Sequence, residues 1–254
     1  MLTKIVQTKI KEINSLTLPP HEKVQRYSFY EALKQPKRSI GLIAEMKKAS
    51  PSKGILKESF APVEIGAHYV KVGVDAVSVL TDQKYFKGSR HDLTIIKQTT
   101  DLPVLRKDFI IDSIQVQESV RIGADAILLI AEILPDEKLA RLYHEAKESG
   151  LDLLVEVHSL ERLSKLLQTF TPAIIGVNNR NLQTFETNIL TTKELAAHIP
   201  SSSLLVSESG ILTNKDLEAV KSYGANAILV GEAFMRDSSP SDGVKRLFGE
   251  ENYV

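Results

Sequence analysis

Eight short apolar runs punctuate the chain at intervals, and each is hydrophobic at nearly every position: GLIAEMK (41–47), DAVSVLT (75–81), PVLRKD (103–108), DAILLIA (125–131), DLLVEVH (152–158), AIIGVNN (173–179), LLVSES (204–209) and NAILVG (226–231). A strand covered on one face alternates apolar and polar residues, whereas a strand covered on both faces reads as continuous Val, Ile and Leu. Between the runs lie charged helix-forming stretches, among them 62–73, 113–123, 136–150 and 214–224. Asp136 and Asn214 are expected at helix N-caps, and Gly73, Gly123, Gly150 and Gly224 just past helix C-termini. The junctions VGVDAVSVL, IGADAILLI and YGANAILVG resemble one another, as repeated βα units require.

Eight such units predict an α/β fold, a single (β/α)8 TIM barrel spanning 1–254. A doubly wound open sheet would have fewer strands and a Gly-rich fingerprint after the first; no GxGxxG is present. Residues 1–40 precede the first strand and are expected to form an N-terminal helical extension packed on the barrel. Leu2, Ile5, Ile10 and Ile13 lie near helical spacing, and a second helix is expected around 21–33.

The 32 basic and 32 acidic residues balance, which argues against nucleic acid or an anionic membrane as partner. No apolar run reaches the roughly 18 residues of a membrane span, and the N-terminus lacks a signal-peptide core. Cysteine is absent, which removes disulfides, thiolate nucleophiles and Cys-ligated metals. A cytoplasmic monomer without metal or cofactor is expected. The six histidines form no HxH or HExxH pattern, and His158 reads as a rim or loop residue.

Barrel chemistry is located where strands end. Strand one ends in Glu45 and Lys47, strand three in Arg106, Lys107 and Asp108, and strand five carries Glu156. Strand six ends in Asn178, Asn179 and Arg180, and strand seven in Ser207, Glu208, Ser209 and Gly210. Residues of equal parity share a face, so Glu45 and Lys47 point together, Lys107 joins Leu105, and Asn178 joins Arg180. Charged strand ends also suit a solvated rim, but five such strands favour a reactive mouth. There a lysine beside another cation would be lowered and a glutamate in an apolar wall raised. SESG (207–210) and VGEAF (230–234) place Gly-containing turns after strands seven and eight, where barrels bind phosphate; each glycine alone would suit a tight turn.

IAEMKKASPSKG (43–54), LRKDFI (105–110), VEVHS (155–159), GVNNRNL (176–182), SESGI (207–211) and LVGEAFM (229–235) together resemble the indole-3-glycerol phosphate synthase family of tryptophan biosynthesis, from about residue 20 onward. The resemblance implies a cofactor-free lyase that closes a ring, decarboxylates and dehydrates a small phosphorylated substrate. It implies Lys107 as acid for ring closure, and Glu156 with Lys47 or Lys107 for dehydration, the assignment between lysines staying open. Glu45 is expected to salt-bridge Lys107. Lys47, Ser50 and Arg180 would meet the substrate's anionic groups, Asn178 its carboxylate or hydroxyls, and Phe109 its aromatic ring. Glu208 would steady the lysines. Ser209, Gly210, Gly231 and the N–H of Glu232 would cradle phosphate. The loop holding Pro51 and Gly54 is expected to move over the substrate. Two rivals remain: a Schiff-base aldolase using Lys107, and an inactive barrel that only binds a phosphorylated metabolite. A sister isomerase of the same pathway usually employs a cysteine, which this chain lacks.

Overall fold

In the computed structural model, which describes residues 1–51, 53–181, 184–237 and 239–250, all eight apolar runs form parallel strands. They are β1 (Gly41–Met46), β2 (Ala76–Leu80), β3 (Val104–Lys107), β4 (Ala126–Ile130), β5 (Asp152–Val157), β6 (Ile174–Asn178), β7 (Leu204–Glu208) and β8 (Ala227–Val230). Each pairs with its sequence neighbours, and β1 pairs with β8 to close a barrel, with Gly41 beside Ala227 and Ile43 beside Leu229. At that seam Gly41 is needed for close approach, because a Cβ there would meet the Ala227 Cβ at 2.9 Å.

Both faces of every strand are buried, as continuous hydrophobicity demands. Ile43, Leu105, Leu128, Leu154, Ile174, Val206 and Leu229 fill the barrel interior. Their neighbours of opposite parity, including Leu42, Val77, Ile127, Val155 and Ile228, pack outward against the helices. Burial at about 25 cal/mol per Å² makes these two shells the main favourable contribution to folding.

The extension divides into three parts. Helix α1 (Leu2–Asn14) lies over the C-terminal mouth. Its Lys9 is buried and pairs with Asp82 at 2.8 Å and Asp108 at 2.9 Å, both behind the strand ends. Helix α2 (Phe29–Lys34) plugs the opposite end, where Phe29 and Leu33 join the interior cluster. The helix expected over 21–33 is therefore shorter, because residues 21–28 run as a strap whose backbone groups are satisfied by the barrel. Glu22 donates to the Arg121 carbonyl at 2.8 Å and Tyr27 to the Asp125 carboxylate at 2.9 Å. Tertiary acceptors here override local helix preference.

The repeated junctions have a common chemical reason. Asp75 accepts from the Leu42 N–H at 2.8 Å, Asp125 from the Val104 N–H at 2.8 Å and Asn226 from the Leu205 N–H at 2.7 Å. Each side chain caps the first turn of backbone donors on an adjacent strand. Gly73, Gly123, Gly150 and Gly224 all adopt positive φ at the ends of helices, as expected. Both expected N-caps are off by one residue. Pro135 precedes the helix Asp136–Glu148, and Thr213 caps Asn214–Ser222 through a reciprocal box with Asp216. Among the described residues no helix is long and apolar enough to cross a membrane.

Because Leu33 is buried at the end remote from the mouth, Leu33→Ala should cost about 2–4 kcal/mol of unfolding free energy in urea titration. The dimensions of the mouth should be unaffected, so substrate KM should stay within about twofold.

Candidate active site

Near the C-terminal strand ends, interior parity carries charged residues inward. Glu45, Lys107, Glu156 and Glu208 continue the interior rows of Ile43, Leu105, Leu154 and Val206. Arg106, of opposite parity, turns outward to Glu118 at 2.7 Å and Asp108 at 3.2 Å. Asn179 likewise turns outward, to the Ser207 hydroxyl at 3.0 Å, while Asn178 and Arg180 face the mouth.

One cavity of about 180 Å³ is lined by all thirteen residues singled out from the sequence: Glu45, Lys47, Ser50, Lys107, Phe109, Glu156, Asn178, Arg180, Glu208, Ser209, Gly210, Gly231 and Glu232. Residues not anticipated also line it, notably Met1, Leu2 and Ile5 of the α1 segment, Phe86 from the loop after β2, and Phe185. The apolar spacing of α1 was a signal for a packed face but not for which surface it meets. Phe86 packs against Phe109 with ring centroids 6.0 Å apart and planes tilted by 39°, giving the cavity an aromatic side.

Lys107 is the centre of the charge arrangement. Its Nζ lies 2.6 Å from Glu208 Oε2 and 3.0 Å from Glu156 Oε2. The expected Glu45–Lys107 salt bridge is replaced by another pairing: Glu45 Oε1 accepts at 2.5 Å from Lys47, just past the end of the same strand. Two residues along a strand are already on one face, so that pair closes without spanning the barrel. Nor is Lys107 lowered. Burial acts to lower it, but the charges of Glu156, Glu208 and Glu45 outweigh burial and raise it. A lysine so firmly protonated is a poor amine nucleophile, which counts against the Schiff-base reading.

The two carboxylates titrate as a unit around that ammonium. Burial acts to raise Glu156, but Lys107 and His158 together hold it below the usual carboxylate range. Glu208 goes the other way: burial, reinforced by the Glu156 charge and opposed by Lys107, pushes it up to about 7. Its Oε1 is buried without a hydrogen-bond partner among the described residues. Gly176 on β6 makes room for this carboxylate, since a Cβ there would collide with Glu208 Oε1.

His158 lies in the loop just past β5, as expected, but it is not a free rim side chain. Its Nε2 is 2.8 Å from Glu156 Oε1, and its side chain is largely covered. A lone histidine carries no spacing signal, although its place two residues after Glu156 put it on the same face.

Opposite these charged groups lie the Gly-containing turns after β7 and β8. Ser209 and Gly210 both have positive φ, 67° and 78°, and the Ser209 carbonyl is held by Asn179 at 3.0 Å. Such successive left-handed residues turn backbone N–H groups toward a common point. Gly231 precedes a short helix, Glu232–Met235, and its missing Cβ leaves space for Glu45 Oε1 at 2.7 Å. The Glu232 carboxylate sits among cations, 3.7 Å from Arg180 Nη2 and 3.9 Å from Lys53 Nζ. Ala49–Ser50 and Gly54–Ile55 form a two-stranded hairpin beside the cavity, with Ile55 63% exposed. Ser52 of this loop and Leu182 of the GVNNRNL motif lie outside the described residues.

Residues 2–247 match the family model for indole-3-glycerol phosphate synthase. The chain is 59% identical over 254 residues to the indole-3-glycerol phosphate synthase of Priestia megaterium, covering all of both chains. It is 55% identical over 251 residues to that of Halalkalibacterium halodurans, covering 99% of this chain and 98% of the relative. Among solved structures, 3-hexulose-6-phosphate synthase from Salmonella typhimurium superposes with a TM-score of 0.66 at 14% identity, over 83% of this chain and 98% of that one. A mutant tryptophan synthase α-subunit from Pyrococcus furiosus gives 0.62 at 14% identity, over 82% and 98%. At such identity the two structures speak for the barrel alone.

Titration of the protein with ¹³C-labelled glutamate carboxylates should reveal one group with a midpoint near pH 7, missing in Glu208→Gln. Gly176→Ala should displace that group and return its midpoint toward the ordinary range. An unchanged spectrum in Gly176→Ala would show that the carboxylate does not lie across β6.

Proposed function

Since the chain belongs to the indole-3-glycerol phosphate synthase family, we propose that it converts 1-(2-carboxyphenylamino)-1-deoxyribulose 5-phosphate to indole-3-glycerol phosphate, CO₂ and water, with the thirteen cavity residues as its machinery. The observation that carries the residue assignment is the convergence of a protonated lysine, two unlike carboxylates and two anion-receiving turns on one cavity.

The reaction proceeds in three parts. A ring carbon of the anthranilate attacks the ketone carbon, and the ketone oxygen must take a proton as the new C–C bond forms. Lys107 is the donor. Its high affinity for its proton is no obstacle, because the forming alkoxide is a strong base. The carboxylate then leaves as CO₂, and its bonding electrons restore the aromatic ring. Finally the hydroxyl departs as water while the neighbouring carbon gives up a proton. Glu156 takes that proton, and Lys47 or Lys107 protonates the leaving hydroxyl.

Binding roles follow charge and reach. Arg180, with Lys47 and Ser50, receives the substrate carboxylate, and Asn178 hydrogen-bonds to it or to the sugar hydroxyls. Phe109 lies along the anthranilate ring. Ser209, Gly210, Gly231 and the backbone N–H of Glu232 receive phosphate. Glu45 orients Lys47, and Glu208 steadies Lys107. The loop around Pro51 and Gly54 closes over bound substrate. The reading takes the protein as a monomer in which the acid, base and anion donors of this chain suffice without metal or cofactor. A cytoplasmic setting fits a chain free of cysteine.

Turnover is measured by the growth of indole fluorescence from the carboxyphenylamino substrate, with chelator present throughout. Lys107→Ala and Glu156→Gln should each lower kcat by about 10²–10⁴-fold. Arg180→Ala should raise KM about tenfold or more, as a lost charge-assisted hydrogen bond of about 1.5–3 kcal/mol requires. Unchanged kcat in Lys107→Ala would remove Lys107 from the acid role. Hydrogen exchange at 49–55 as slow as in β1 would rule out loop closure.

A further inference from the structure

His158 stands just past β5, with each ring nitrogen against an oxygen. Nε2 is 2.8 Å from Glu156 Oε1, and Nδ1 is 3.1 Å from the Arg180 carbonyl oxygen. A carbonyl oxygen can only accept, so Nδ1 must carry a proton. Glu156 is kept ionised by Lys107, which holds its other oxygen, so Nε2 must donate as well. Neutral imidazole has one N–H and can satisfy only one of these contacts. The site therefore asks for the doubly protonated ring.

The surroundings agree. Glu156 faces the ring from its own strand. Glu132, from the turn after β4, accepts the His158 backbone N–H at 2.7 Å and places its second oxygen 4.0 Å from Nε2. The Arg180 segment after β6 contributes a carbonyl, while its guanidinium is directed to Phe185 and Glu232. Lys107 reaches the ring only through Glu156. Burial acts to lower the imidazole, but the hydrogen bond and charge of Glu156, with the charge of Glu132, hold it at about 9.

We propose that His158 is a positioning residue for the reaction, an imidazolium at neutral pH that fixes the Glu156 carboxylate and ties it to the backbone of Arg180. Each Glu156 oxygen then has its own cation, Lys107 on Oε2 and His158 on Oε1. The carboxylate can neither rotate nor swing toward Glu132. Through the Nδ1 bond, the strand that bears the base and the segment that bears the substrate-binding arginine keep a fixed separation. The proposal rests on the reading of Glu156 as base.

Two measurements test it. Ring ¹⁵N–¹H correlation of the ¹⁵N-histidine-labelled protein should show, at pH 7.5, one imidazolium with both nitrogens protonated and a midpoint near pH 9. Its resonances are identified by their loss in His158→Gln. A neutral His158 ring at pH 7.5 would overturn the proposal whatever the kinetics. In the second measurement, His158→Leu should lower kcat by about 10- to 100-fold with KM within about threefold, as expected when a reacting group is misplaced by an ångström or less. The alkaline limb of kcat, centred near pH 9 in the wild type, should disappear. His158→Gln, whose amide can donate to Glu156 at any pH, should recover much of kcat and show no such limb. Wild-type kcat in His158→Leu, or an alkaline limb that survives in both variants, would overturn the positioning role. If His158→Leu fails to fold, the wild-type spectrum and His158→Gln decide the matter alone. Turnover retained by Glu156→Gln would instead defeat the underlying base assignment and leave the ring's protonation state standing.

Discussion

Two carboxylates inside a barrel can coexist only because a single ammonium stands between them. Without Lys107, Glu156 and Glu208 would each face burial and the other's charge, and at least one would be neutral over most of the physiological range. With it, the pair divides. The oxygen set with two cationic neighbours stays charged, and the one with an unpartnered oxygen becomes the group that yields to a proton. The remaining geometry serves this arrangement: Gly176 vacates the space that Glu208 crosses, and His158 occupies the oxygen that Lys107 leaves free.

Buried polar groups serve different ends at the two rims of the barrel. At the N-terminal rim the carboxylates of Asp75 and Asp125 and the amide of Asn226 accept strand N–H groups, and α2 seals the interior with Phe29 and Leu33. At the C-terminal mouth, the same inward parity that supplies Ile43, Leu105 and Leu154 supplies Glu45, Lys107 and Glu156 two residues later. Stability and reactivity are thus separated along each strand by a single pleat repeat.

That separation explains what was legible in the sequence. Strand positions were, because burial on both faces leaves few polar residues to confuse the pattern. Glu45, Lys47, Lys107, Asn178 and Arg180 were, because parity decides which side chains near a strand end converge, whereas Ser50, Phe109 and the turns after β7 and β8 were legible through motif and family resemblance, and Met1, Leu2, Ile5, Phe86 and Phe185 were not. Ion-pair partners were not. Whether Glu45 reaches Lys107 or Lys47 depends on barrel width and stagger, which no local pattern encodes. Residues 21–28 misled for a related reason: their helical periodicity is outweighed by acceptors from the barrel more than ninety positions away, such as Asp125 for Tyr27. His158 was invisible because one histidine near a strand end has many uses, and only its two acceptors single out this one.

The seam between β1 and β8 has a consequence in time as well as in space. The two strands that close the barrel lie near opposite ends of the chain, so their pairing demands a costly loop closure and should come late in folding. Until β8 arrives, β1 is an open edge, exposed to pairing with other chains. Glu45 rests against Gly231 across that seam, so the Glu45–Lys47 pair gains its final setting only when the ring is complete. A chain refolding from denaturant would recover its helices first and its catalytic competence last.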